Sequence, residues 1–234
     1  MSYVCYSVLS THLVKFEPSK RKRKATVSNP KFLFSNLCSL NNKLEELSIL
    51  LNQHQIDIGV FVESWLSKDI PDDAVAINGY MTFRKDRDNG TGGGIVCYSK
   101  LNPPPTVILS ESVFSLNSCK TEFLPLFFNK LSLLVIGVYH PFWNAPRNHD
   151  DAINCITDII DYVAVNLDFD SYLRVVLLGD FNDLRGYSKT ISSVTQLKPH
   201  VTFLPGVIIS STNCLLMLMT TLNLRCYHRT CRPI

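Results

Sequence analysis

From position 31 onward the chain alternates short apolar runs with stretches in which apolar residues recur every three or four positions. The first 30 positions show neither pattern. Lys31–Ser35 (KFLFS) predicts a short strand that stops at Asn36. Ser39 is placed to cap a following helix, in which Leu40, Leu44, Leu47 and Leu51 share one face. Ile56–Glu63 (IDIGVFVE) predicts a buried strand that delivers Glu63 at its C-terminal end. Tyr80–Arg84 and Ile95–Ser99 flank the polar, glycine-rich stretch from Asp88 to Gly94 and predict a hairpin.

Pro103, Pro104 and Pro105 mark a loop, with a short strand expected at Val107–Leu109. Glu122–Phe128 is a strand that Pro125 assigns to an edge or a bulge, because proline donates no ladder hydrogen bond. Leu131–Tyr139 (LSLLVIGVY) predicts a central strand. Asp150–Leu167 predicts an amphipathic helix with Ile153, Ile156, Ile160 and Val163 on one face. Arg174–Gly179 (RVVLLG) is a last strand, presenting Asp180 and Asn182. Strands, helices and hairpins interleaved in this way give an α/β or α+β class with a mixed sheet.

Composition narrows the picture. With 46% apolar and 18% charged residues among 234, the chain has material for a packed core and does not match a disordered composition. No run of 18 apolar residues exists, so no membrane-spanning helix is expected. The net charge of +3 conceals an asymmetry. Residues 1–183 carry 17 basic and 20 acidic residues, whereas residues 184–234 carry 6 basic residues and no Asp or Glu. At the chain's average frequency that last stretch should hold about four acids.

The 8 cysteines are scattered and do not resemble a small secreted disulfide scaffold. Cys214, Cys226, His228 and Cys231 form a cluster, but its spacing contains no C-x2-C pair of the zinc type. Reduced thiols in an intracellular protein are expected. The start of the chain lacks a basic n-region and a small-residue cleavage site, so secretion is not expected. Lys20, Arg21, Lys22, Arg23 and Lys24 form a basic run between Pro18 and Pro30. It suits phosphate attraction, a nuclear address or a solvated linker, and it places a domain boundary near residue 30.

Four predicted strands end on polar residues that an apolar interior would not choose: Asn36, Glu63, Tyr139 and Asp180, the last followed by Asn182. Strand ends at one edge of a layered sheet converge into a cleft. A Glu beside an Asn suits a hard divalent ion such as Mg2+ (or Mn2+), which takes one or two carboxylates plus water and phosphate oxygens. An Asp fixed by an Asn amide can orient a water and accept its proton, and a Tyr hydroxyl can donate to a phosphoryl oxygen. Together they fit metal-assisted attack of water on a phosphodiester.

Five segments resemble the endonuclease/exonuclease/phosphatase domain of LINE-type (non-LTR) retrotransposons. They are Ser35-Asn36-Leu37-Cys38-Ser39-Leu40-Asn41-Asn42-Lys43-Leu44, Val62-Glu63-Ser64-Trp65-Leu66, Arg84-Lys85-Asp86-Arg87 with Gly92-Gly93-Gly94-Ile95, Tyr139-His140-Pro141, and Leu178-Gly179-Asp180-Phe181-Asn182. They follow the family's order over residues 31–203. The resemblance implies a four-layer α/β sandwich of two mixed, mainly antiparallel sheets flanked by helices, nicking DNA with a divalent metal. It also implies roles. Asn36 and Glu63 would surround the metal, and Tyr139 would contact the phosphate. Asp180 would deprotonate the attacking water, and Asn182 would hold Asp180 or the phosphate. His140 stands where the family usually has Arg and would be a weaker phosphate contact. DNA is the expected partner, with no membrane and no obligate protein partner.

The family closes on a Ser-Asp-His sequence near its C-terminus. No acid follows Asp183 here, so that pair has no counterpart, and His200 and His228 have no Asp neighbour. Leu204-Pro205-Gly206-Val207-Ile208-Ile209-Ser210-Ser211-Thr212 replaces a family segment like Pro-Thr-Arg-Gly-Asp-Asn-Ile-Leu-Asp. Reading codons from the third base of Phe203 spells that segment with permitted third-position bases. The sequence therefore predicts a basic leader over 1–30 and a family-like domain over 31–203. It predicts an out-of-frame tail over 204–234, leaving a truncated, impaired enzyme that lacks its closing strands. The tail's apolar stretch from Cys214 is then an aggregation hazard. Two other readings remain: a phosphatase of phosphate esters, or a non-catalytic nucleic-acid-binding remnant using Lys20–Lys24.

Overall fold

The computed structural model describes residues 7–8, 30–87, 92–109, 111–113, 116, 119–141, 147–169, 172–182, 201–203, 209–210 and 215–216. The basic run Lys20–Lys24, His200 and the Cys214/Cys226/His228/Cys231 cluster lie outside the described residues, apart from the two-residue strand Leu215–Leu216 nearby.

Two mixed sheets form the body. In the first, β1 (Ser7–Val8), β2 (Phe32–Asn36), β3 (Ile58–Val62), β5 (Ile95–Ser99) and β4 (Met81–Lys85) lie in that order. In the second, the order is β12 (Leu215–Leu216), β11 (Ile209–Ser210), β9 (Leu173–Asp180), β8 (Leu133–Tyr139), β7 (Glu122–Phe128) and β6 (Thr106–Val107). A further strand, β10 (Val201–Phe203), also pairs with β9. The parallel pairs β2–β3 and β8–β9 are each joined through a helix, α1 (Leu44–Gln53) and α2 (Arg147–Asn166). A parallel connection needs such a crossover, and the helix then covers the sheet's outer face.

Three apolar clusters fill the spaces between four layers. Leu47 and Leu51 of α1 pack on Leu33, Phe61, Val96 and Tyr98 of the first sheet. Phe32, Phe34, Val60, Val62 and Ile95 meet Leu124, Leu126, Val135, Val176 and Leu178 between the sheets. Ala152, Ile156, Ile159, Ile160 and Val163 of α2 pack on Leu134, Ile136, Val175 and Leu177. Both faces of the central strands are covered, so side chains alternate between two apolar layers. This is why these strands read as continuous apolar runs. Gly59 lets α1 approach, since a Cβ there would stand 2.9 Å from the Leu51 side chain and 2.8 Å from Phe61.

Some boundaries moved. The first helix starts at Leu44 rather than after Ser39, because Cys38, Ser39 and Asn42 take left-handed φ values of 47°, 89° and 63°. Ser39 does not cap the helix; its hydroxyl accepts the Asn41 N–H at 3.2 Å within the preceding turn. Ser132, with φ 45°, delays β8 to Leu133. Pro125 sits within β7, next to the short edge strand β6. Its carbonyl accepts the Ile108 N–H at 3.1 Å, so the missing proline donor faces that edge and not β8. The outer edge of β9 does not stand bare: β10 pairs with Leu173–Val175, and Ile209 pairs with Asp180.

Candidate active site

Register brings seven strand termini to one end of the sandwich. In the first sheet Asn36 is level with Val62, and Val62 and Lys85 are both level with Ile95. In the second, Glu122 is level with Tyr139, and Tyr139 with Asp180. The polar residues following or ending these strands face one another across the gap between sheets.

Asp180 is buried, at 1% exposure, and its carboxylate is held from two sides. Asn36 Nδ2 donates to Asp180 Oδ2 at 2.9 Å from the other sheet, and the Asn182 backbone N–H donates to Oδ1 at 3.0 Å. Asn182 takes φ 43°, and its side-chain amide donates to the His140 carbonyl at 2.6 Å. Asn182 thus holds Asp180 through its backbone while its side chain ties down the next strand. Asn36 Oδ1 accepts the Cys38 N–H at 3.1 Å.

Glu63 follows β3 with φ 56°. Its Oε2 accepts Trp65 Nε1–H at 2.5 Å and the Gly93 N–H at 2.9 Å. The Tyr139 phenol faces the same carboxylate from the other sheet, close enough for the Glu63 charge to act on it. Burial first, and then the neighbouring Glu63 carboxylate, push the Tyr139 phenol above its ordinary range, so it stays a proton donor at neutral pH.

Two charged residues belong to this group that the sequence reading did not assign. Arg87 Nε donates to Glu122 Oε1 at 2.6 Å, its guanidinium lies 5.7 Å from the Tyr139 ring centroid, and Glu122 Oε2 accepts the Gly94 N–H at 2.6 Å. Burial lifts the Glu122 carboxyl above the usual carboxylate range, although Gly94 and Arg87 oppose it. For Arg87 burial works against the charge, and Glu122 outweighs it, leaving the guanidinium more firmly protonated. Gly93, at φ 69°, is required here: a Cβ would collide with the Arg87 guanidinium. Arg87 and the glycines were visible as parts of a motif, and Glu122 as a polar residue opening a strand. Only the pairing with Tyr139 and Arg87 gives them a place in the site.

His140 does not match its expected place. Its side chain is fully buried, with Nδ1 paired to the Thr121 hydroxyl at 2.7 Å, and its backbone N–H continues the ladder to the Asp180 carbonyl. An interior ring at this position supports the strand ends and leaves Arg87 as the cation beside Tyr139. Arg84, three residues before Arg87, turns the other way. It binds Asp86, Asp72 and the carbonyls of Ser67 and Ile70, which fixes the loop leading into β4.

The donors at this end are oxygen atoms from Glu63, Asn36 and Asp180, which is the chemistry of a Mg2+ or Mn2+ site with water completing the shell. Among the described residues no group of three His, Cys, Asp or Glu gathers as a closed metal cage would require. The two left-handed residues Glu63 and Trp65, with Asn182 opposite, place backbone strain of about 1–3 kcal/mol each at this edge.

The description Endonuclease/Exonuclease/phosphatase family is that of a family model matching residues 33–200. No curated protein sequence matches the chain. Among solved structures, a variant of the 3′ phosphatase NExo from Neisseria, bound to a product DNA hairpin, is similar over 76% of this chain and 78% of its own. It is 18% identical, with a TM-score of 0.51. The 3′-5′ exonuclease NExo from Neisseria meningitidis is 20% identical over 74% and 76%, with the same TM-score. At this identity the likeness speaks for the fold.

Proposed function

The chain belongs to the Endonuclease/Exonuclease/phosphatase family, and from that premise we propose that its site is built for metal-dependent hydrolysis of a phosphodiester, in the manner of a DNA-nicking endonuclease. The observation that carries this reading is the hydrogen bond from Asn36 to Asp180 between the two sheets, beside Glu63 and Tyr139. It puts a fixed, buried carboxylate next to a second carboxylate and a phenolic donor. Glu63, with Asn36, would hold Mg2+ or Mn2+, which supplies charge stabilisation to the phosphoryl oxygens.

Asp180 accepts the proton of the attacking water. Its two oxygens accept donors from Asn36 and Asn182, which hold the carboxylate in a fixed orientation. Tyr139 donates to the phosphoryl oxygen as charge develops there, and Arg87 stands beside it as a fixed cation. The Ser64-Trp65-Leu66 and Arg84-Lys85-Asp86-Arg87 segments favour the retrotransposon branch over a phosphatase of soluble esters.

Residues 184–234 contain no Asp or Glu to orient a histidine, and impaired turnover is part of this proposal. The expected result is little Mg2+-dependent nicking of supercoiled plasmid by the chain as it stands. A version carrying the shifted frame from residue 204 should nick. It should prefer plasmid DNA to soluble phosphate monoesters. Robust nicking by the unaltered chain would refute the impairment, and a restored version that hydrolyses only monoesters would refute the nuclease reading. Salt-dependent DNA binding that never leads to cleavage, and that is lost on neutralising Lys20–Lys24, would instead favour a binding remnant.

A further inference from the structure

Trp65 has no role in the chemistry above beyond holding Glu63, yet it is 49% exposed. The other large apolar side chains exposed among the described residues are Ile49, Leu109, Val165 and Tyr172. None of them bonds to a residue of the site. Trp65 does. Its Nε1–H donates to Glu63 Oε2, and its backbone N–H donates to the Gly93 carbonyl at 3.0 Å. The neighbouring Ser64 N–H binds the Gly94 carbonyl at 3.2 Å. A φ of 55°, unusual for a bulky residue, completes the restraint. The indole is therefore fixed in place with its one polar atom satisfied, while about half of its surface is left to water.

A core residue would be covered, and a surface residue kept only to orient Glu63 needs a hydrogen-bond donor rather than a bicyclic ring. What remains is a rigid aromatic surface at the edge of a phosphodiester site. We propose that Trp65 is a stacking platform for an unpaired nucleobase next to the phosphate contacted by Arg87 and Tyr139. The site's substrate would then be a nucleic-acid strand with at least one base out of the helix, rather than a compact phosphate ester. This rests on the phosphodiester reading above and names its substrate class.

The physical basis is general. Every base has a π-face, so an aromatic platform accepts any of them, and removing one typically weakens strand binding about tenfold or more. A polyol phosphate offers no such face. The nearby charges suit a strand as well: Arg87, held by Glu122, carries the cation for the backbone phosphate.

The test uses the full chain with Trp143, its other tryptophan, replaced by Phe, and with a chelator present so that nothing is cleaved. A fluorescein-labelled single-stranded oligothymidylate is titrated in while anisotropy reports binding. An unlabelled strand of the same sequence is followed by quenching of Trp65 fluorescence. The expected result is quenching on binding, an affinity about tenfold lower or worse for Trp65→Ala, and near-normal affinity for Trp65→Phe, which keeps the ring but cannot bond Glu63. A strand of abasic units should bind the parent protein as weakly as the normal strand binds Trp65→Ala, a comparison independent of how the variant folds. Equal binding of normal and abasic strands would overturn the platform while leaving the phosphodiester reading intact. So would a Phe variant as weak as the Ala variant, since the indole would then act only through Glu63. Failure of every strand to change the anisotropy would overturn the platform, and the plasmid-nicking assay tests the phosphodiester reading separately.

Discussion

The two ends of the sandwich use polar residues differently. At the end away from the site, polar side chains close turns within one sheet. Asp57 accepts the Lys31 N–H at 2.7 Å and pairs with Lys100 at 3.6 Å, all in the first sheet. Asn129 donates to the Asp168 carbonyl at 3.0 Å and Arg174 donates to the Leu131 carbonyl, all in the second. At the site end the polar groups reach across: Asn36 to Asp180, and Arg87 and Gly94 to Glu122, with the Glu63 carboxylate acting on the Tyr139 phenol by its charge. A contact within a sheet secures a turn that the ladder already positions. A contact between sheets fixes the relative position of groups from two layers, which is what a reacting geometry needs.

The largest test of that contrast removes the bridging carboxylates. In the frame-restored chain, Asp180→Ala and Glu63→Ala should each lower plasmid nicking by about 10²–10⁴-fold, read from initial rates. If either variant retains most of its rate, the bridge is structural and the comparison fails. A smaller effect is expected at Glu122. Burial raises its folded pKa, so the folded state binds that proton more tightly than the unfolded chain does. Stability relative to Glu122→Gln should therefore be greatest in acid, fall as pH rises through the raised pKa, and level off above it. Urea midpoints for both chains across that range check the sign, and a difference that grows with pH would show that Arg87 and Gly94 outweigh burial.

The smallest effect belongs to the other end. Asp57→Ala should leave nicking within a factor of about two and cost about 1 kcal/mol or less of stability, because its ion pair is partly exposed and its turn is also held by backbone bonds. A large loss of nicking there would mean that the two ends are coupled.

Legibility in the sequence followed the same division. Elements with a local period were placed to within a few residues, as with Ile58–Val62 and Leu173–Asp180. The start of α1 was misplaced because left-handed φ values at Cys38, Ser39 and Asn42 leave no periodic trace. Asn36, Glu63, Tyr139, Asp180 and Asn182 stood out as polar residues ending apolar runs, and the structure gathers them. Arg87 was visible only as part of a motif and Glu122 only as a polar strand start, since a charged residue beside a turn or at a strand start is ordinary by itself. His140, expected as a weak phosphate contact because it stands where the resembling family has Arg, is a buried ring paired with Thr121.

By itself, then, the sequence determined which segments are strands and helices, and which strand ends carry oxygen donors. Those properties depend on neighbours a few positions apart. Tertiary structure alone decided which of those ends meet. The Asn36–Asp180 bond spans 144 residues and the Arg87–Glu122 pair spans 35. Their meeting depends on how two sheets register across an apolar layer that no short window of sequence describes.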